Sequence, residues 1–388
     1  MTAPLASPRS RLLPVYPRLA LDLVRAEGSE LVLRDGRRIL DLYGGHAVCP
    51  LGHAHPELAA ALADGYRTLD FYSNSLDMDV QDRAATAVLG DSAHLGWVHF
   101  VNSGTEANEA AIHLARALTG RSEVLAFDNG FHGRTLASLQ ATGLAGYQKR
   151  VRLPAGDAVG FVRFGVVEDL ARITERTAVV LCESVPSLAG IYLPPDGYYA
   201  ALEARCRATG ALFALDEVQG GIGRLGTWFA HERFGVKPDL VTLAKSLAGG
   251  FPAGALVVER SLGARVLSGE LGTTFGGGPM ACRMIETVAT IVRRDHLQER
   301  VRAVFDRLTA GLAGVPGVAV RGAGCLIGIQ TPLPAAPVRD ALLADGILVG
   351  TCSQAETIRL LPPYTVPFEG VDRFARSLTR IVHERSKP

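Results

Sequence analysis

Lysine is scarce in this chain. Of 40 basic side chains only four are lysine, Lys149, Lys237, Lys245 and Lys387, so chemistry that needs an amine nucleophile has few candidates. Lys245 follows the apolar run Asp239-Leu-Val-Thr-Leu-Ala244 and precedes Ser246-Leu-Ala-Gly-Gly250. A lysine withdrawn from water loses basicity and becomes a nucleophile toward carbonyls. A surface lysine at a strand end is the alternative, and it fits these apolar surroundings badly. Lys237 lies in a Val-Lys-Pro-Asp turn, Lys149 in a polar stretch beside Arg150, and Lys387 next to the C-terminus.

Other chemistry-bearing residues recur in one pattern, directly after short apolar runs. Asp216-Glu-Val-Gln219 follows Leu212–Leu215, and Glu183 follows Ala178–Cys182. A carboxylate at a buried strand end needs a partner; alternatively Asp216 caps the next turn. Ser103-Gly104-Thr105 follows Val98–Val101 and opens an Ala- and Leu-rich segment. The free N–H groups of such a turn, at the positive end of a helix dipole, suit a phosphate, although the same residues also read as an ordinary helix cap. Asp128-Asn-Gly-Phe131-His-Gly-Arg134 follows Val124–Phe127. Gly221-Ile-Gly-Arg-Leu-Gly226 matches the dinucleotide pattern GxGxxG and is the rival signal, for a nicotinamide dehydrogenase. Four residues separate it from Asp216, however, and Thr227-Trp-Phe-Ala follows it in place of a clear helix. It therefore reads as a glycine-rich loop at a site. His53 and His55 sit in a Gly-His-Ala-His-Pro turn without a second ligand pair, so they read as structural and no metal is expected.

The elements that must hold these residues can be read from the same runs. Val98–Val101, Val124–Phe127, Ala178–Cys182, Leu212–Leu215, Leu240–Leu243 and Ala255–Val258 are short and continuously apolar, with helix-like segments such as Glu106–Leu118 and Tyr198–Thr209 between them. That alternation predicts an α/β fold with a mostly parallel sheet covered on both faces. Ligands of such sheets bind beyond the carboxyl ends of the strands. Leu31–Asp41 reads as a hairpin around Asp35-Gly36, after a Pro-rich arm over residues 1–17. A long helical stretch, Ala281–Ala313, leads to a smaller α+β tail with runs at Cys325–Gln330, Ile347–Val349 and Ile358–Leu361. The expected division is residues 1–45 as arm and part of a small domain, 46–278 as the large domain and 279–388 as the rest of the small domain.

Composition narrows the class further. With 388 residues, 48% hydrophobic, the chain can bury a large core, and two domains are expected. A net charge of +1 lacks the basic patch of a nucleic-acid partner. No apolar run is long enough to span a bilayer, and the N-terminus lacks the apolar core of a signal peptide. Six scattered cysteines without a CxxC pair read as reduced thiols, so the cytoplasm is the expected location.

Taken together and in order, the segments resemble the class III, fold-type-I aminotransferases, which depend on pyridoxal 5'-phosphate (PLP). The resemblance runs from Asp35–Asp41 to Ile358–Pro363. It rests on Leu51-Gly-His-Ala-His-Pro56, Asn102-Ser-Gly-Thr-Glu-Ala-Asn-Glu-Ala110, Phe131-His-Gly-Arg-Thr135, Leu215-Asp-Glu-Val-Gln219, Ala244-Lys-Ser246 and Gly272-Thr-Thr-Phe-Gly-Gly277. Phe131–Thr135 is similar to the acetylornithine branch; Leu42–Val48, Phe71–Ser75 and Leu271–Phe275 resemble a subgroup that includes succinylornithine enzymes. The resemblance implies that Lys245 carries the cofactor as a Schiff base and then shuttles a proton. It implies that Gly104 and Thr105 bind the phosphate, that Phe131 and Val218 cover the two ring faces, that Asp216 pairs with the ring nitrogen, and that Gln219 lies near the phenolic oxygen. Arg134, Glu183, Thr273 and Arg359 are implied at the substrate, and Thr274 at the phosphate of a neighbouring subunit, which makes a homodimer with shared sites. The implied reaction moves the δ-amine of an N2-acylated ornithine to 2-oxoglutarate in arginine biosynthesis, with succinylornithine, a carrier-bound lysine or another ω-amine as further donors. One departure stands out. Where the family often carries a second acid after Glu183, this chain has Leu188, so Arg359 lacks its usual counterion.

Overall fold

The computed structural model describes residues 11–13, 15–148 and 159–385. Lys149 and Lys387 lie outside them. In chain order the strands are β1 (Leu23–Glu27), β2 (Glu30–Leu33), β3 (Arg38–Asp41), β4 (Leu95–Val101), β5 (Glu123–Phe127), β6 (Val159–Val162), β7 (Thr177–Glu183), β8 (Leu212–Asp216), β9 (Leu240–Leu243), β10 (Gly254–Glu259), β11 (Ala319–Ala323), β12 (Leu326–Gln330), β13 (Ile347–Leu348), β14 (Gly350–Thr351) and β15 (Thr357–Leu360).

Seven of them form the large sheet in the order β4-β10-β9-β8-β7-β5-β6. Its pairings are parallel except those of β10, which runs antiparallel to β4 and to β9. The apolar strands read in the sequence are all here; β6 was not foreseen. Alternate side chains of each strand enter different cores, as pleating requires. Val124, Ala126, Val179, Leu181 and Ala214 pack with Ala107-side residues Ala110, Ala111, Leu114 and Ala115 of the Gly104–Thr119 helix. Leu125, Phe127, Val180, Phe213 and Leu215 pack on the other face with Tyr198, Tyr199 and Leu202 of the Tyr198–Thr209 helix. The sheet is covered on both sides, as its uninterrupted apolar strands require.

Two four-stranded sheets, β1-β2-β3-β13 and β11-β12-β15-β14, complete the fold. The expected hairpin is present, with Gly36 at a φ of 87 in its turn. β13 pairs in parallel with β3, so residues from both ends of the chain share a sheet. The helical stretch foreseen as continuous is two helices, Pro279–Arg294 and Leu297–Leu312, broken at His296, whose φ of 50 is left-handed. Just after β3, Gly44, Gly45, His46 and Ala47 have φ values of 51, 60, 70 and 65. Four consecutive left-handed residues, two of them with a Cβ, form a strained turn that neighbouring segments must hold in place.

Candidate active site

The strand ends converge. Asp216 and Glu183 are the last residues of β8 and β7, which pair side by side there. Lys245 opens a single turn just after β9, Gly104 opens the helix after β4, and Phe131 lies in the loop after β5. Gly104, Thr105, Phe131, Glu183, Asp216, Val218, Gln219 and Lys245 line one cavity of about 340 Å³. The remaining expected residues, Arg134, Thr273, Thr274 and Arg359, do not line it.

Asp216 is buried and anchored. Its Oδ2 accepts from Asn108 Nδ2 and pairs with His132 Nδ1, both at 2.8 Å, and its Oδ1 accepts from the Val218 amide at 3.0 Å. The N–H of His132 therefore lies on Nδ1, since a carboxylate can only accept. Asn108 is itself fixed: Thr242 Oγ1 donates to its Oδ1 at 2.7 Å, while its Nδ2 also donates to the His132 carbonyl at 2.7 Å. Asn108, His132 and Thr242 were not singled out from the sequence. Asn108 carried a signal, because it lies one helical turn after Gly104 on the face filled with buried alanines.

Lys245 adopts a φ of 41, a left-handed conformation that a side chain makes costly. Burial lowers the pKa of its amine. Asp216 and Glu183 oppose that shift, and Arg359 and Arg224 add to it. An amine that is neutral more of the time is a better nucleophile. Lys237, in contrast, is exposed. Glu183 accepts from the Phe131 amide at 2.8 Å and from the Ser187 amide at 3.2 Å. Its pKa is pushed up to about 7, mainly by burial.

Arg359 is buried, and no acid pairs with it among the described residues. Its donors reach Thr351 O at 2.7 Å, Ser187 Oγ at 2.9 Å and Tyr43 Oη at 2.7 Å. The guanidinium is neither solvated nor matched to another acid: neutral acceptors satisfy it. Arg134 is exposed, and its guanidinium lies 4.8 Å from the ring centroid of Tyr147 and 5.3 Å from that of Tyr16. Thr273 Oγ1 accepts from Asn102 Nδ2 at 3.2 Å, and Thr274 is exposed.

The GxGxxG segment is not a strand-to-helix phosphate turn. Residues 221–226 form successive tight turns, with positive φ at Ile222, Gly223 and Gly226, and the next helix starts only at Ala230. The glycines let the chain double back and carry Arg224 into the interior. His53 Nε2 pairs with Asp41 Oδ2 at 2.8 Å, a structural contact.

The cavity suits PLP on its own terms. A Cβ added at Gly104 would come within 2.9 Å of the Val218 methyls, so the backbone of the helix start approaches this wall as only glycine allows. Gln219 Oε1 is buried with no partner among the described residues, an acceptor awaiting a donor. A helix N-terminus, an anchored carboxylate and a desolvated lysine face one cavity of about 340 Å³.

Comparison with known proteins bears on the same point. A family model described as "Aminotransferase class-III" matches residues 14–382. The chain is 40% identical to the acetylornithine aminotransferase of Streptomyces coelicolor over 96% of its length and 93% of that protein. It is 35% identical to that of Streptococcus mutans, over 97% of this chain and 100% of the relative. Among solved structures, ornithine aminotransferase from Toxoplasma gondii superposes with a TM-score of 0.90 at 24% identity, covering 98% of this chain and 94% of that one. A transaminase from the marine bacterium Virgibacillus gives 0.88 at 24% identity, over 94% and 93%. Those likenesses show the fold, and the family match with its close relatives shows the rest: the chain belongs to the class-III aminotransferases.

Proposed function

We propose that this aminotransferase moves the δ-amine of N2-acetylornithine to 2-oxoglutarate, giving the semialdehyde and glutamate, as a step of arginine biosynthesis. The acetylornithine aminotransferases it resembles over nearly their whole length support that donor. The observation that carries the preference for an acylated donor is Arg359, a buried cation met by Ser187, Thr351 and Tyr43 and by no carboxylate among the described residues. Leu188, at the position where the family often carries an acid, brings no negative charge to it. A free α-ammonium brought near that cation is repelled; acylation removes the charge, and a carboxylate is attracted.

PLP, the cofactor of this class, supplies an electron sink for the carbon that bears the amine. The residues that would hold it are Gly104 and Thr105 at the phosphate, Phe131 and Val218 on the ring faces, Asp216 at the ring nitrogen and Gln219 at the phenolic oxygen. Lys245 is the attachment point, and its weakly basic amine is the group to take and return the proton. Arg134 holds the α-carboxylate of the donor, Arg359 that of a dicarboxylate, and Glu183 and Thr273 border the substrate. Thr274 is assigned to the cofactor phosphate of a neighbouring subunit, in a homodimer with shared sites. Its exposure, together with that of Phe275 at 66%, supports this. Among the described residues no helix is long and apolar enough to cross a membrane, and the cytoplasm is the location proposed. The domain division proposed remains 1–45, 46–278 and 279–388, with the large sheet inside the second part.

The test is kcat/KM for ornithine, acetylornithine and succinylornithine with 2-oxoglutarate, in the wild type and in Leu188→Glu. Both acylated donors should exceed ornithine by about tenfold or more, the effect of ~1.4 kcal/mol, and Leu188→Glu should narrow the gap. Ornithine as the best wild-type donor, or an order and spacing untouched by the substitution, would refute the reading.

A further inference from the structure

Arg224 is the largest fully buried side chain among the described residues. It carries a permanent charge, and no carboxylate pairs with it there. Its Nη1 donates to Pro362 O at 2.6 Å and Cys325 O at 3.3 Å, and its Nη2 to Ala47 O and Ser246 Oγ, both at 3.1 Å. The guanidinium lies 4.7 Å from the ring centroid of Tyr364, and Nε has no partner among the described residues. Burying a cation on neutral acceptors alone is costly, so its position calls for a reason. The four acceptors belong to four separate segments. Ala47 ends the left-handed turn, Cys325 precedes β12, Pro362 follows the strand that carries Arg359, and Ser246 is the neighbour of Lys245. Ser246 Oγ in turn donates to Ala47 O at 2.9 Å, which closes a small ring of bonds against the Lys245 turn.

We infer that Arg224 is a positioning residue for Lys245: it bonds Ser246, the next residue, clamps the left-handed backbone on which that lysine sits, and sets a fixed positive charge against the same turn. The inference rests on the role proposed above for Lys245. The charged and titratable groups around that amine are Asp216 and Glu183 from the strand ends, Arg359 from β15, Arg224 from the glycine-rich turns, and His46 from the left-handed turn. The two acids raise the proton affinity of that amine, and the two fixed cations oppose them. Without Arg224 one of the opposing cations is gone, and the nitrogen of Lys245 holds its proton more tightly. The pKa of Lys245 is lowered chiefly by burial and further by Arg359 and Arg224, which agrees with this geometry.

The experiment uses the holoenzyme and follows the visible band that Lys245 and PLP give together, as a function of pH. In Arg224→Met the midpoint should rise by about one pH unit, a roughly tenfold gain in proton affinity. In Arg224→Lys, which keeps the charge, it should stay within about 0.3 unit of the wild type. Arg224→Gln is equally neutral but keeps a donor for the carbonyls of Ala47 and Pro362, and it serves in place of Arg224→Met if that variant does not fold. A neutral variant that melts earlier but titrates like the wild type would show a merely structural residue and overturn the inference. So would a rise in Arg224→Lys equal to that of the neutral variants. A wild type with no visible band would instead refute the role of Lys245 itself.

Discussion

Asp216→Asn tests the centre of the site, and the structure sets its size. The carboxylate accepts three hydrogen bonds, from His132, Asn108 and Val218. An asparagine there has one oxygen and one NH2 group. Its best orientation keeps the oxygen toward His132 and Asn108 and turns the NH2 group against the Val218 amide. Asn108 cannot turn over to relieve the mismatch, because Thr242 donates to its oxygen and its nitrogen donates to the His132 carbonyl. One stranded donor costs about 1–3 kcal/mol, and the two surviving bonds lose their charge assistance at about 1 kcal/mol each. A smaller desolvation penalty offsets part of this. The cofactor-free variant should therefore unfold about 2–4 kcal/mol more easily, as read by urea titration. In the holoenzyme the amide also fails to balance the positive ring nitrogen. That loss of at least ~1.5–3 kcal/mol predicts a kcat lower by about ten- to a hundredfold, with cofactor still bound. Absorbance confirms loading, and saturating acetylornithine and 2-oxoglutarate give kcat. Near wild-type turnover in a fully loaded variant would refute the pairing, and unchanged stability would refute the hydrogen-bond account.

Lys245→Ala should fold but neither turn over nor show the visible band, and borohydride reduction of the wild type should fix cofactor to the peptide containing Lys245; label at Lys149 or Lys237 would contradict this. Glu183, with a folded pKa of about 7 against an ordinary value near 4.3, favours the fold while protonated, so its contribution is lost as pH rises through 7. Wild-type cofactor-free protein should therefore lose melting temperature relative to Glu183→Gln between about pH 5 and pH 8, and a constant difference would contradict the shift. Sedimentation under assay conditions should show at least a dimer, with Thr274→Ala binding cofactor more weakly; an active monomer would remove the shared site.

The large sheet was legible because parallel strands buried on both faces leave uninterrupted apolar runs, and the residue after each run is where such a sheet presents its chemistry. That logic alone brings Asp216, Glu183 and Lys245 to one end of the sheet, where the structure has them line one cavity. What escaped depends on contacts between distant segments. Val159-Gly-Phe-Val162 is a strand because it finds the edge of β5. Asn108 and Thr242 matter only through Asp216, from which they are far in sequence. The helix break at His296 has neither glycine nor proline to announce it. In Gly221–Gly226 the glycines suggest a dinucleotide phosphate, whereas in the fold they let Arg224 turn inward.

The pairing of β13 with β3 bears on how the protein is made. Strand β3 and the left-handed turn after it leave the ribosome early, yet several of their partners come much later. Leu40 and Asp41 align with Ile347 and Leu348, and the Ala47 carbonyl waits for an arginine 177 residues downstream. The Leu361 amide then bonds the Leu42 carbonyl. During synthesis the large sheet can assemble around its own local contacts, while β3, paired with β2 on one side, keeps its other edge open until the final stretch of chain is released. A nascent chain stalled near residue 340 would hold Lys245, Asp216 and the helix start in a folded sheet but lack the closure that shapes the wall beside them. Competence of the site is thus a property of the finished polypeptide.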